Sequence, residues 1–405
     1  MRLRRIDITA FAIAALAAIL LSSDQGGYFP HTWPWAGLAL AGAGILVLRG
    51  TPELHVAPAG LVLIAVMLAI CAWTAVSWFW SSEPPMTSDE LRRAPIYLAA
   101  AITFVALASA GGSLGMVVGV GAGTSAIAAY SLVHRELAPA PGTLLADPLG
   151  YSNALGALCA IGLVTVVTLG ARRRWLAAIA PAAVLLLALS LTNSRGSWVA
   201  LASGGLVAAA ASRGWGGRAV IAVAAALSAL FVVTAFTVPA RLQARGDYWH
   251  VAWHVGLRHP LAGTGAGTFD LAWAAYGDFA KWGDVLDAHN LYLESFAELG
   301  LVGLILACAL AVPVVAAVRG RVSAVTAAAL GGAVAYLVHA GVDWDWEMPA
   351  VTTVGIACIA ATISSDSQLR QRQINVKTIR TTLLAMEGLI LLGYGLYVLR
   401  KGPLA

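Results

Sequence analysis

The side chains best suited to chemistry in this sequence are a histidine and a few arginines set in or beside apolar runs. His289 stands where a polar stretch gives way to Leu291-Tyr-Leu-Glu-Ser-Phe-Ala-Glu-Leu-Gly-Leu-Val-Gly303. An imidazole, with an ordinary pKa of about 6.5, can take a proton from an attacking hydroxyl at neutral pH. Glu294 and Glu298, one turn apart, could orient that ring or pair with an arginine. Arg195 lies in the break Leu191-Thr-Asn-Ser-Arg-Gly-Ser-Trp198 between two apolar runs, and Arg245 lies early in the polar stretch. A cation near hydrocarbon costs roughly 2.5 to 3.5 kcal/mol at a helix centre and less toward the interface, so each needs a partner or a purpose. A guanidinium fork matches phosphate oxygens, and arginines converging from separate hinges make a pyrophosphate clamp. They could equally pair with acids such as Asp247 or Asp343, or reach lipid phosphates. Arg258, Arg241, Arg92, Arg93 and Arg135 are further candidates on the same side.

A second constellation reads His339-Ala-Gly-Val-Asp343-Trp-Asp-Trp-Glu-Met-Pro349. Asp343 or Asp345 can hold the tautomer of His339 or balance an arginine. Such a cluster could hold a divalent ion, but its spacing matches no ligand motif, so no metal is expected. Gly263-Thr-Gly-Ala-Gly267 follows no strand and precedes no Gly-Lys-Ser/Thr, so it reads as a flexible turn rather than a nucleotide loop. Cys71, Cys159, Cys308 and Cys358 all lie in apolar runs without a CxxC pair, which makes them core residues.

The elements that must position these residues are membrane spans. Only 11% of the 405 residues are charged and 60% are hydrophobic, against about a quarter charged in a soluble domain. The apolar residues form blocks of roughly 17 to 23, the length of helix that crosses about 30 Å of hydrocarbon. The chain is expected to be an all-α polytopic membrane protein with about 12 to 13 transmembrane helices and one larger external loop containing an amphipathic helix. The spans are placed near 7–23, 34–49, 58–80, 94–110, 113–132, 151–170, 176–192, 197–211, 218–238, 291–317, 322–341, 348–364 and 380–399. Three regions follow: N-terminal helices over 1–238, an external loop over 239–290, and C-terminal helices over 291–405. The first apolar run lacks a small-residue cleavage site and reads as a retained span.

With Arg2, Arg4 and Arg5 in the cytoplasm, alternation puts Arg49, Arg172 to Arg174, Arg213, Arg218, Arg319, Arg321, Arg370, Arg372, Lys377 and Arg380 inside. Glu83, Asp89, Asp247, Asp284, Asp287, Asp343, Asp345 and Glu347 then fall outside, with His289, Arg195 and Arg245. Strict alternation also puts Arg400-Lys401 outside, which is at odds with the charge rule. Tryptophans such as Trp33, Trp35, Trp78, Trp80, Trp198, Trp344 and Trp346 gather at outer ends, as an interfacial belt or as stacking surfaces for sugar rings. The net charge of +5 resides in short loops, so nucleic acid is not expected as a partner.

Several stretches together resemble the O-antigen ligase and polymerase superfamily of membrane glycosyltransferases. They are Tyr151-Ser-Asn-Ala-Leu-Gly156, Asn193-Ser-Arg-Gly196, Arg245 before Tyr248-Trp249, Pro260-Leu-Ala-Gly-Thr-Gly265, His289-Asn290 ahead of Gly300-Leu-Val-Gly303, and His339 with Asp343. The ordered set covers roughly residues 70 to 360. The resemblance implies a GT-C-like helical enzyme in the cytoplasmic membrane, acting on its outer face. It implies a polyprenyl (undecaprenyl) pyrophosphate-linked glycan donor, transfer with inversion to a glycan, lipid or protein acceptor, and no cofactor or required metal. Arg195 and Arg245 match arginines that contact the pyrophosphate, and His289 matches the base. Arg258, Asn290, His339 and Asp343 complete the residues expected to bind pyrophosphate or glycan. A ligase is favoured over a polymerase of lipid-linked repeats. A flippase of lipid-linked glycans would also want arginines, but it should show charges near span centres and inverted-repeat symmetry.

Overall fold

Prolines open several of the helices, at positions where a missing N–H costs nothing and a fixed φ already suits the first turn. Pro34 is in the first turn of α2 (Trp33–Gly50), Pro58 begins α3 (Pro58–Ser77), Pro84 begins α4 (Pro84–Ser109) and Pro349 begins α15 (Pro349–Ala361). The computed structural model describes residues 4–51, 54–137, 143–173, 175–212, 241–319, 322–363 and 376–401. The span expected at 218–238 lies outside the described residues, as do Arg174, Arg213, Arg218, Arg321, Arg370 and Arg372.

The other elements are α1 (Arg5–Ser22), α5 (Ser113–Leu137), α6 (Ser152–Arg173), α7 (Trp175–Thr192) and α8 (Arg195–Ser212), then α9 (Arg241–Arg258), α10 (Phe269–Tyr276) and α11 (Phe279–Trp282). They continue with α12 (Leu291–Ala309), α13 (Val312–Ala317), α14 (Ala324–Ala340) and α16 (Val376–Lys401). Among the described residues, nine helical segments are long and apolar enough to cross a membrane, one of them running through α12 and α13. The protein is an all-α polytopic membrane protein. Helices α14 and α15 are shorter and buried at nearly every position, in the middle of the bundle.

Close packing of small residues holds the bundle where apolar lipid gives little drive for helices to associate. The site helix α8 lies against α14 with Gly204 so close that an added Cβ would stand 2.4 Å from the carbonyl oxygen of Gly331. Helix α4 begins ten residues before the span expected at 94–110, so Arg92 and Arg93 lie within a helix.

The external excursion has a core of its own. Val251, Ala252 and Val255 of α9, Phe269, Ala272 and Trp273 of α10, and Val285 and Ala288 close on Ala297 of α12. The amphipathic helix is therefore present, but one face packs on protein; Trp253 and Leu257 stay exposed. The glycine turn after it is pinned rather than loose. The N–H groups of Gly267 and Phe269 donate to the Glu298 carboxylate at 2.8 and 2.9 Å, and those of Thr264 and Gly265 to the carbonyls of Ala297 and Glu298 at 3.2 and 2.8 Å. The loop does bind an anion, and that anion is the chain's own side chain.

This docking breaks α12. Leu301 N–H donates to the Pro260 carbonyl at 2.7 Å, and Gly300 takes φ 68° and ψ −161°. A Cβ on Gly300 would meet the Leu261 carbonyl carbon at 2.3 Å. Gly300→Ala is expected to lose about 1 to 3 kcal/mol from backbone strain alone and more from the clash. A thermal melt in detergent that leaves the variant at the wild-type midpoint would contradict this packing.

Candidate functional site

Asp343 is the polar centre of the outer end of the bundle. After α14 ends, the chain turns with Asp343 N–H on the His339 carbonyl at 3.0 Å, which brings a carboxylate only 1% exposed among helices. Oδ1 accepts from Tyr151 OH at 2.7 Å and from Trp344 N–H at 3.0 Å; Oδ2 accepts from Asn153 Nδ2 at 2.7 Å and Arg245 Nη2 at 2.6 Å. Four donors fill the roughly four lone-pair sites of a carboxylate. Burial by itself would raise this carboxyl, but the Arg245 guanidinium, with His289 and His339 nearby, holds it below the usual range. Tyr151 and Asn153 explain why the Tyr151-Ser-Asn stretch precedes α6: both side chains serve Asp343. Arg245, 20% exposed, is anchored by one edge and keeps further N–H donors for a ligand.

His339 takes a positioning task. Its Nε2 is 3.0 Å from Ser197 Oγ and its Nδ1 is 3.1 Å from Asp345 Oδ1. The order Ser, His, Asp is that of an activated nucleophile, but all three are fully buried, so the hydroxyl is not presented to a substrate. Instead Ser197 passes the connection to Ser194 Oγ at 2.7 Å, at the N-terminal turn of α8. Gly156 lets that turn approach α6, since a Cβ there would stand 2.5 Å from Ser197 Oγ. The first residue of α8 is Arg195, which is exposed and makes no hydrogen bond or ion pair among the described residues. One histidine thus fixes the helix end that carries Arg195 and, through its backbone carbonyl, the turn that carries Asp343.

His289 completes the group. Its Nδ1 is 3.0 Å from the Asp287 carbonyl, which can only accept, so Nδ1 carries the proton and Nε2 the free lone pair. Burial lowers its pKa, and Arg245 lowers it further against the opposing effect of Asp343. The residue has φ 55°, a left-handed conformation that a non-glycine residue adopts at a cost. It is held by both flanks. Ala288 N–H donates to Glu294 Oε2 at 2.7 Å, and Asn290 Oδ1 caps α12 by accepting from Tyr292 and Leu293 N–H at 3.0 Å each. The Tyr248 ring lies 5.4 Å from the imidazole, centroid to centroid.

The structure therefore gathers His289, Arg245 and Asp343, with Arg195 and His339 joined through Ser197. Asn290 uses its side-chain oxygen as a helix cap. Arg258 stands apart, exposed, with Nη1 on Tyr276 OH at 2.6 Å and its guanidinium 4.8 Å from that ring. Arg92 pairs with Asp89 and reaches Tyr397 OH at 3.2 Å, and Arg93 is buried between Glu90 at 2.5 Å and Glu347 at 2.9 Å.

The Glu90–Arg93–Glu347 group borders a cavity of about 230 Å³ next to the His289 loop, also lined by Tyr28, Trp33, Asp287, Glu294 and Glu298. Burial, with Glu347 close by, pushes the Asp287 carboxyl well above the usual range. Asp287, Glu294 and Glu347 each place a carboxylate oxygen within 4.8 Å of the others, a spacing that could hold a cation, although Glu347 is already paired with Arg93. Sequence reasoning grouped several of these acids on one side but could not show that they converge.

Residues 180–308 match the protein-family model described as O-Antigen ligase. The matched stretch runs from α7 into α12 and holds Arg195, Arg245 and His289; His339 and Asp343 follow it. The resemblance drawn from the sequence motifs is borne out by this match. No curated protein matches the chain.

Two outcomes test the geometry. Asp343→Asn leaves the Arg245 charge without its partner and is expected to cost about 3 to 5 kcal/mol, whereas adding Arg245→Gln to it should restore much of the loss. Additive losses in detergent melts would remove the pair from its central place. His339→Gln should detach the α8 end, lowering catalytic efficiency while the protein still extracts and elutes as wild type; unchanged kinetics would contradict the positioning role.

Proposed function

With the O-antigen ligase and polymerase superfamily as its context, we propose that this protein is a membrane glycosyltransferase that moves a glycan from a polyprenyl pyrophosphate carrier to an acceptor hydroxyl. The reaction takes place at the outer face of the cytoplasmic membrane and needs no cofactor. The observation that carries the reading is the pairing of an imidazole, deprotonated at Nε2, with Arg245 beside it and a partnerless Arg195 on the neighbouring helix end.

The acceptor hydroxyl gives its proton to Nε2 of His289 as its oxygen bonds to the anomeric carbon of the donor sugar. The bond from that carbon to the pyrophosphate oxygen breaks on the opposite face, with inversion. Negative charge then grows on the leaving polyprenyl pyrophosphate, where Arg195 and Arg245 stabilise it more in the transition state than in the ground state. Asp343 keeps Arg245 extended toward the leaving group. Its two oxygens are saturated by four donors, so it is a poor base itself. The ligase form of the reaction, with a finished glycan as cargo, is preferred to repeat-unit polymerisation because a single compact external excursion covers the site.

Purified protein given a synthetic polyprenyl pyrophosphate glycan and a panel of acceptors should release polyprenyl pyrophosphate only when an acceptor is present. His289→Ala should reduce the rate by about 10² to 10⁴, and Arg195→Ala should reduce it strongly with folding intact. Donor binding without transfer to any acceptor would instead indicate a carrier or flippase. The lowered pKa of His289 sets the sign of the pH dependence. The neutral, proton-accepting form persists below the ordinary value of 6.5, so the acid limb of kcat/KM should fall below that pH. A limb displaced to higher pH would contradict His289 as the base.

A further inference from the structure

The sequence neighbours α7 and α8 both pack on α6 and make almost no contact with each other. Their splaying leaves a trough of about 640 Å³, floored by Val164 and Val167 of α6 and walled by Leu186 of α7 and Leu201, Gly205 and Ala209 of α8. It lies between helices whose outer sides are unburied: only 22% of α7 is buried, at a mean hydropathy of 2.1, and Val167, Leu186 and Leu206 are exposed. In a membrane-spanning chain, that side meets hydrocarbon.

Helical spacing puts Arg195, Trp198, Ala202, Gly205 and Ala209 along one side of α8, so the exposed arginine stands at the head of the trough. From Arg195 to Leu201 is about 9 Å along the axis, and from Leu201 to Ala209 about 12 Å more. A phosphate-matching cation with no protein partner above an apolar channel on the same helix has the form of an amphiphile site. Resting on the function proposed above, we infer that this trough holds the polyprenyl chain of the donor, so that α8 grips the pyrophosphate at its first turn and the lipid below it. The fit explains how a site that must tolerate varied glycans can still select its carrier: recognition is assigned to the part of the donor that never changes.

An added Cβ at Gly205 meets nothing within 4 Å, so a larger side chain there enters the trough without a clash at its base. For Gly205→Leu and Gly205→Trp, the KM for a long-chain polyprenyl pyrophosphate glycan should rise about tenfold, equivalent to about 1.4 kcal/mol, with kcat little changed. The KM for the same glycan on geranyl pyrophosphate, too short to fill the trough, should not move. An equal change with both donors, or none with the long one, would overturn the assignment.

A second readout does not depend on turnover. In a chain freed of its own cysteines, Gly205→Cys should react with N-ethylmaleimide, and long-chain polyprenyl pyrophosphate should slow that reaction while geranyl pyrophosphate and phospholipid do not. A thiol that is unreactive without any added lipid would mean the chain itself fills the trough, and equal protection by phospholipid would mean a general lipid surface; either result overturns the inference. Protection by the long-chain lipid in a protein that transfers glycan to no acceptor would leave the trough standing and bring down the transferase reading instead.

Discussion

The ion pair between Arg245 and Asp343 is the interaction on which the outer end of this protein depends. A carboxylate only 1% exposed is untenable without compensation, because removing an ion from water costs several kcal/mol even after relaxation. The chain compensates with donors from three separate places: Tyr151 and Asn153 ahead of α6, Arg245 from the external helix α9, and the backbone of Trp344. Each bond ties a different part of the chain to one point. The external excursion, which otherwise rests on its own small core and on α12, is thereby held in register with the bundle.

The same constraint reaches the reactive groups. His339 holds the turn that presents Asp343 and, through Ser197, the end of α8 that begins with Arg195. His289 sits in a left-handed conformation fixed by the Glu294 bond before it and the Asn290 cap after it. A positive backbone angle at a non-glycine residue persists only where its surroundings over-determine it, and here they set which imidazole nitrogen is left open. Arg195 is the exception to this dense pairing, and in a site otherwise full of satisfied groups a free guanidinium points to a ligand that supplies the missing charge.

Much of this was legible in residue type and position. Arg195 and Arg245 drew notice because cations beside apolar runs need a reason, and His289 because a titratable ring stood at the mouth of a span. The count of apolar blocks gave the all-helical membrane class. What could not be read were partnerships made across the chain. Arg93 and Glu347 are 254 residues apart, and Tyr151 and Asp343 are 192 apart, so no spacing rule connects them. Asn290 looked like a ligand because it follows His289, yet the helix it begins needs a cap. The glycine stretch from Gly263 read as a flexible turn because the anion that orders it, Glu298, arrives from another helix.

The most direct measurement is an experimental structure of the full chain with polyprenyl pyrophosphate bound. The phosphates should lie between Arg195 and Arg245, within hydrogen-bonding distance of both guanidinium groups, with Asp343 still bonded to Arg245 and Nε2 of His289 open toward the glycan end. Phosphates bound away from either arginine, or an Nε2 engaged by a protein group in that complex, would contradict a site built on the Arg245–Asp343 pair.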